Sequence, residues 1–188
     1  MKTTFLSGIL AATAFPLFGQ QVRIHNPAID YEVFSRLTAK IAPIREKNRV
    51  TEEVFIAMAA EPGTVVLDAR TRNLFENIHI KGAIHLALTD FTEEALLKVI
   101  PDKSTRILIY CNNNFENEPE FFAGKFATVA LNIQTFINLH AYGYKNVYEL
   151  GPLLDVNTTR IPFKRKPGYV PFPRPRALPA SQTPTVPK

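Results

Sequence analysis

Arg106-Ile107-Leu108-Ile109-Tyr110-Cys111-Asn112-Asn113-Asn114-Phe115 is the stretch on which the fold turns. A short apolar, partly β-branched run bounded by turn formers reads as a buried strand. Cys111 then falls at the strand's C-terminal end, where open α/β sheets place their ligands. It is the only cysteine of the 188 residues, so it has no partner for an internal disulfide. Two readings of it stand side by side. It is a reactive thiol, or it is a small buried hydrophobe, since free cysteine is among the most buried residue types.

Outward from this strand the pattern alternates. Residues 64–68 (TVVLD) read as a second buried strand, 83–86 as a short apolar piece after Lys81-Gly82, and 146–150 as a final strand. Between them lie helices. Val33, Leu37 and Ile41 have helical spacing over 30–42, with an end near Pro43. Thr51 can cap a helix over 52–60, with Glu52 and Glu53 in its first turn, where negative charge suits the helix dipole. Glu61-Pro62-Gly63 stops it. Thr92 caps another that Pro101 ends, and 127–142 forms a long helix closed by Gly143. Strands separated by helical crossovers imply a parallel sheet covered on both faces, an α/β fold. There are no internal repeats.

The two ends differ from this body. Lys2 precedes an uncharged apolar stretch from Phe5 to Phe18, with small residues Ala12, Ala14 and Gly19 nearby, which is the anatomy of an export signal over 1–19. The stretch is shorter than the roughly 20 apolar residues that span a bilayer. The expected location is therefore periplasmic or secreted. Residues 20–49 form an extension with one helix, 50–155 the main domain, and 156–188 a tail. After Asp155 come Arg160, Lys164, Arg165, Lys166, Arg174, Arg176 and Lys188 with no acidic residue. With those and Lys2 set aside, 14 basic residues face 17 acidic ones, so the net charge of +5 belongs to the tail. Its eight prolines from Asn157 onward deny it helix or central strand, and leave an extended segment. Such a tail either lies partly across the domain or reaches an acidic protein partner or anionic membrane surface. Nothing suggests a nucleic-acid face.

The order of these pieces resembles the rhodanese-like family. The matching residues are Val65-Val66-Leu67-Asp68-Ala69-Arg70, His79-Ile80-Lys81-Gly82-Ala83-Ile84-His85-Leu86, Ile107-Leu108-Ile109-Tyr110-Cys111, and Gly143-Tyr144-Lys145-Asn146-Val147-Tyr148-Glu149-Leu150. The resemblance implies a three-layer α/β/α fold with a central parallel sheet. It also implies a sulfurtransferase in which Cys111 takes sulfane sulfur from a small donor, becomes a persulfide, and passes the sulfur to a thiol or cyanide. That chemistry requires no cofactor. Only the thiolate is nucleophilic, and a loop offering backbone N–H groups stabilises both thiolate and persulfide. Asn112, Asn113, Asn114, Phe115 and Glu116 are the expected loop, with asparagine tolerating the left-handed backbone of such a nest.

That loop departs from the family pattern. From Cys111 to Gly143 is about twice the usual distance, and no basic residue appears before Lys125. Glu116, Glu118 and Glu120 near the sulfur would repel thiosulfate and raise the thiol pKa. Asn117 stands six residues after Cys111, where an oxyanion-clamping phosphatase loop needs arginine. Asp68 and Arg70 either support the active loop or form a structural ion pair, and Arg72 is the sequence candidate for the missing positive charge. His79 and His85 lack further ligands for a metal, and His79 reads as a turn-stabilising residue. Phe121 and Phe122 either pack the loop down or line an acceptor pocket. The alternative to an enzyme is a catalytically silent binding module using the acidic loop 112–126 and the basic tail.

Overall fold

The computed structural model describes residues 26–171, so the export signal expected at 1–19 and the tail residues 172–188 lie outside the described residues. In chain order the elements are α1 (Tyr31–Lys47), β1 (Arg49–Val50), α2 (Glu52–Ala60), β2 (Thr64–Asp68), α3 (Arg72–Asn77), β3 (Ile78–Ile80) and β4 (Ile84–His85). Then come α4 (Glu93–Val99), β5 (Arg106–Tyr110), β6 (Phe115–Glu116), α5 (Leu131–Ala141), β7 (Val147–Leu150), β8 (Leu154–Asp155) and β9 (Phe163–Arg165). The chain divides into two units, Met1–Tyr31 and Glu32–Lys188. In the described part of the first, Asn26 organises a turn by accepting the Ala28 N–H on its side chain and the Ile29 N–H on its carbonyl.

The second unit is built on a five-stranded sheet in the order β1-β7-β5-β2-β4, with every pairing parallel. Alternation along the strands divides the core in two. Leu67, Ile107, Ile109 and Val147 face one side, where Ile41, Leu96, Phe136, Ile137 and Leu139 bring α1, α4 and α5 against the sheet. Val66, Leu108, Tyr110 and Leu150 face the other, against Phe55 of α2, Ile78, Ile80, Phe115 and Phe122. Each fully buried Leu, Ile or Phe contributes about 1.5–3 kcal/mol relative to exposure. Burial on both faces is why these strands are apolar throughout. The parallel α/β architecture read from the sequence is present.

Two helix bounds differ from expectation. α1 does not end at Pro43 but continues to Lys47 with the proline inside it. A proline removes one ladder bond, and tertiary contacts hold the turn beyond it. Arg45 pairs with Glu149, and the Asn48 side chain donates to the Val147 carbonyl. The helix expected over 127–142 is a 3-10 turn (Ala127–Val129) followed by the shorter α5. Gly143, at φ 96°, closes it as expected. Thr51 and Thr92 cap α2 and α4 by accepting the Val54 and Ala95 N–H groups. Thr51→Ala is expected to lower stability by about 1 kcal/mol, read as an earlier midpoint in chemical unfolding.

Folding of the chain does not stop at Asp155. Val156 and Ile161 are buried in the second core cluster, and β9 pairs antiparallel with β3. The segment obeys the proline rule nonetheless: Phe163–Arg165 contains none, and its two-stranded sheet is separate from the central one. Arg160 pairs with Glu53, and Arg165 lies over the Phe163 and Tyr169 rings. Arg160 is therefore engaged by the domain itself, and Arg165 by two aromatic rings of its own segment.

Candidate active site

Cys111 follows β5, the middle strand of the sheet, and is 1% exposed. It lies on the wall of a cleft of about 330 Å³ that is also lined by Arg45, Arg49, Asn114, Asn132 and Glu149. Burial pushes its thiol pKa up, and the Glu149 carboxylate adds to that. Opposing them, the backbone N–H groups of Asn132, Asn113 and Leu131 favour the anion. Two of these three belong to the first turn of α5. Its N-cap, Ala130, has no polar side chain to satisfy them, so they remain available to the sulfur.

The three asparagines fix this arrangement. Asn114 Oδ1 accepts the Cys111 backbone N–H at 2.8 Å and the Asn132 Nδ2 at 2.9 Å, while Asn114 Nδ2 donates to the Leu150 carbonyl at 2.7 Å. Asn112 donates to the Ala123 carbonyl, and Asn113 exchanges bonds with the Lys125 backbone in both directions. The long loop is thus stapled back onto the residues that follow the cysteine.

Several expectations need correction at this point. Asn112, Asn113 and Asn114 form a right-handed 3-10 turn, and the one non-glycine with positive φ among the described residues is Asn117. The N–H groups facing the sulfur come from Asn113 and Asn114 in the turn and from Leu131 and Asn132 at the start of α5. Phe115 and Glu116 turn away into β6, which pairs with β8, and Phe115 is buried in the second core cluster. The acidic residues go with them. Glu116 and Glu118 line a different cavity with Phe122 and Leu153, and Glu118 accepts the Tyr169 hydroxyl. The thiol cleft therefore carries two arginines and one carboxylate instead of the loop's acidic charge.

Asp68 and Arg70 form the structural pair, not an arm of the thiol cleft. Both are buried, with Arg70 Nη2 2.7 Å from Asp68 Oδ2 and Arg70 Nε 3.0 Å from Oδ1. The guanidinium also donates to the Ile78 and Phe121 carbonyls and lies 4.3 Å from the Phe122 ring centroid. Through Phe121 it ties down the long loop, and Phe121 and Phe122 pack that loop onto the domain. Arg72, expected to supply positive charge, sits on α3 with a side chain 72% exposed and pairs with Glu76. His79 and His85 each place a ring nitrogen on a backbone carbonyl, those of Phe75 and Arg70. Among the described residues no group of three or more His, Cys, Asp or Glu could hold a metal ion.

The positive charge comes instead from Arg45 and Arg49, on α1 and β1. Sequence reasoning missed both, because nothing local marks a surface-type arginine as facing a site more than 60 residues away in the chain. It also missed Asn132 and Glu149. For Glu149 a signal existed: in Val147-Tyr148-Glu149-Leu150 alternation places the glutamate on the same buried face as Val147, where an acid needs a partner.

A lone nucleophile at the end of the central strand of a parallel sheet, met by the amides of a following helix, defines a three-layer α/β thiol site. The chain belongs to the rhodanese-like domain family, whose model matches residues 51–151. No curated protein sequence matches it. Among solved structures it is similar to the rhodanese-like domain of the Anabaena sp. Alr3790 protein at 20% identity, over 75% of this chain and 92% of that one, with a TM-score of 0.46. It is also similar to a rhodanese from E. coli at 22% identity, over 54% of this chain and 98% of that one, with a TM-score of 0.36. A third similarity is to a Helicobacter pylori protein at 18% identity, over 66% of this chain and 94% of that one, with a TM-score of 0.43. Arg45 and Arg49 precede the matched residues, so the family domain here draws on its N-terminal extension.

Proposed function

We propose that this protein is a sulfurtransferase that carries sulfane sulfur on Cys111 as a persulfide. The observation that carries the reading is the set of α5 first-turn amides and the Asn113 N–H facing a sulfur in a cleft that also holds Arg45 and Arg49. Such donors stabilise a thiolate before attack and a persulfide anion after it. The thiolate attacks the outer sulfur of the donor, the donor's bond to that sulfur breaks, and the remainder leaves with the electron pair. An acceptor thiolate or cyanide then attacks the outer sulfur of the persulfide and regenerates Cys111. With the loop carboxylates turned away, anionic donors such as thiosulfate or a polysulfide suit the cleft's arginines. The reading includes export, supported by the charged-then-apolar residues at 1–19. No helix of the described residues is long and apolar enough to cross a membrane.

The competing reading is a binding module without thiol chemistry, favoured by the near-complete burial of the sulfur. Sulfur transfer to cyanide or a small thiol separates the two. The wild-type protein is expected to turn over repeatedly with a polysulfide donor, and Cys111→Ser to fall to the uncatalysed rate. Equal rates for the two proteins would leave only the binding module.

A further inference from the structure

We infer that Glu149 takes the proton from the Cys111 thiol and returns it to the thiolate that leaves the sulfur donor. The second half of this assignment rests on the sulfurtransferase reading; the first half does not.

The sheet brings the two groups together. β5 and β7 are parallel neighbours with Ile109 opposite Glu149, and Cys111 lies two residues beyond Ile109. Alternation puts Ile109 and Cys111 on one face, and Val147 and Glu149 on the same face of the next strand. Diagonal neighbours on adjacent strands are roughly 7–8 Å apart at the backbone, within reach of a long side chain. Both residues line the same cleft.

The glutamate is also incompletely bonded. Its Oε1 accepts from Arg45 Nη2 at 2.6 Å, whereas Oε2 is buried and makes no hydrogen bond of ordinary geometry, with the Asn132 side chain as the neighbouring donor to this carboxylate. A buried carboxylate oxygen without a donor costs free energy, and a proton on it removes that cost. The ionisable groups on the cleft wall are Arg45 from α1, Arg49 from β1, Cys111 after β5 and Glu149 from β7. Asn113, Asn114 and Asn132, from the turn and α5, do not titrate. Arginine does not give up its proton in proteins. Cys111 and Glu149 are therefore the one pair there between which a proton can move.

Moving it leaves the net charge of the cleft unchanged. The negative charge passes from the carboxylate to the sulfur, where the Asn113, Leu131 and Asn132 amides receive it, so no new charge is buried. Burial raises the affinity of both groups for a proton, which for Glu149 favours the accepting role. With a hydropersulfide donor the step balances as follows. Cys111–SH gives its proton to Glu149, and the thiolate bonds to the terminal sulfur of R–S–SH. The donor's S–S bond breaks, and RS⁻ recovers the proton from Glu149 as RSH. Cys111–S–SH remains. No oxidant or reductant enters.

The test is the pH dependence of Cys111 alkylation by iodoacetamide, which needs no sulfur donor. A proton shared within the pair makes the wild-type rate constant level between the two macroscopic titrations of the pair. In Glu149→Gln that plateau disappears, and the rate falls about tenfold per pH unit below the thiol titration. Because the Glu149 carboxylate also raises the thiol pKa, Glu149→Gln is expected to be faster than wild type through the plateau region, and the discriminating feature is the slope, not the rate. A level region that persists in Glu149→Gln would overturn the assignment. So would a wild-type profile that falls steadily through neutrality, a measurement that does not depend on the variant folding. A plateau together with failed sulfur transfer would retain Glu149 as the proton acceptor and refute the sulfurtransferase reading alone.

Discussion

Arg70→Ala is expected to cost about 3–5 kcal/mol of folding stability, the usual penalty for removing one partner of a buried ion pair. The side chain makes three kinds of contact at once. It forks onto Asp68 through Nε and Nη2, donates to the Ile78 and Phe121 carbonyls, and stacks between the Phe122 and Tyr110 rings. Alanine would leave the Asp68 carboxylate buried, with the Tyr110 hydroxyl and the Arg70 backbone N–H as its remaining donors. It would also release the Phe121 carbonyl that anchors the long loop. Arg70→Lys keeps the charge but not the planar fork, and should recover only part of the loss. Thermal unfolding reads the effect directly, as a midpoint lower by roughly 10 °C or more. A change within a degree or two would mean that the pair contributes little beyond its volume.

Asn114→Ala should combine a stability loss with the largest effect on the site short of removing the thiol. The Cys111 N–H, the Leu150 carbonyl and the Asn132 amide all lose their shared partner inside the protein. At roughly 1–3 kcal/mol for each buried group left unpaired, partial relaxation still leaves a loss of roughly 3 kcal/mol. The same contacts hold Cys111 in register with the start of α5. A sulfur displaced by about 1 Å from its amide donors is expected to lose about 100-fold in sulfur transfer. The two effects separate experimentally: transfer rates measured well below the melting temperature report the geometry, and unfolding reports the stability. Asn114→Asp keeps the acceptor oxygen but loses the donor toward Leu150. It should retain the Cys111 N–H bond and fall between the other two proteins.

The fold was legible because its decisive elements are locally unambiguous. The runs at 64–68 and 106–110 are apolar on both faces, the caps at Thr51 and Thr92 are self-contained, and Gly143 closes its helix through its own φ. These signals depend on residues within one or two turns of each other. Pro43 misled for the complementary reason: what holds the helix open beyond it is Glu149, more than a hundred residues later. The site was half legible. Cys111 stands out as a lone thiol at a strand end, but the residues around it are set by packing across layers. Arg45 and Arg49 look like any surface arginines, and the acidic loop residues look close to the sulfur only because they are close in sequence. Two residues after Asn114 the chain has entered β6 and carried them away. Glu149 was readable in principle, as an acid on the apolar side of a parallel strand.

The central claim, that Cys111 carries sulfur, is tested most directly by intact mass spectrometry of the protein after treatment with thiosulfate, polysulfide or mercaptopyruvate. The account predicts a gain of about 32 Da on the intact protein, reversed by excess thiol and absent from Cys111→Ser. An unchanged mass with all three donors, at a pH where iodoacetamide does alkylate Cys111, would contradict it.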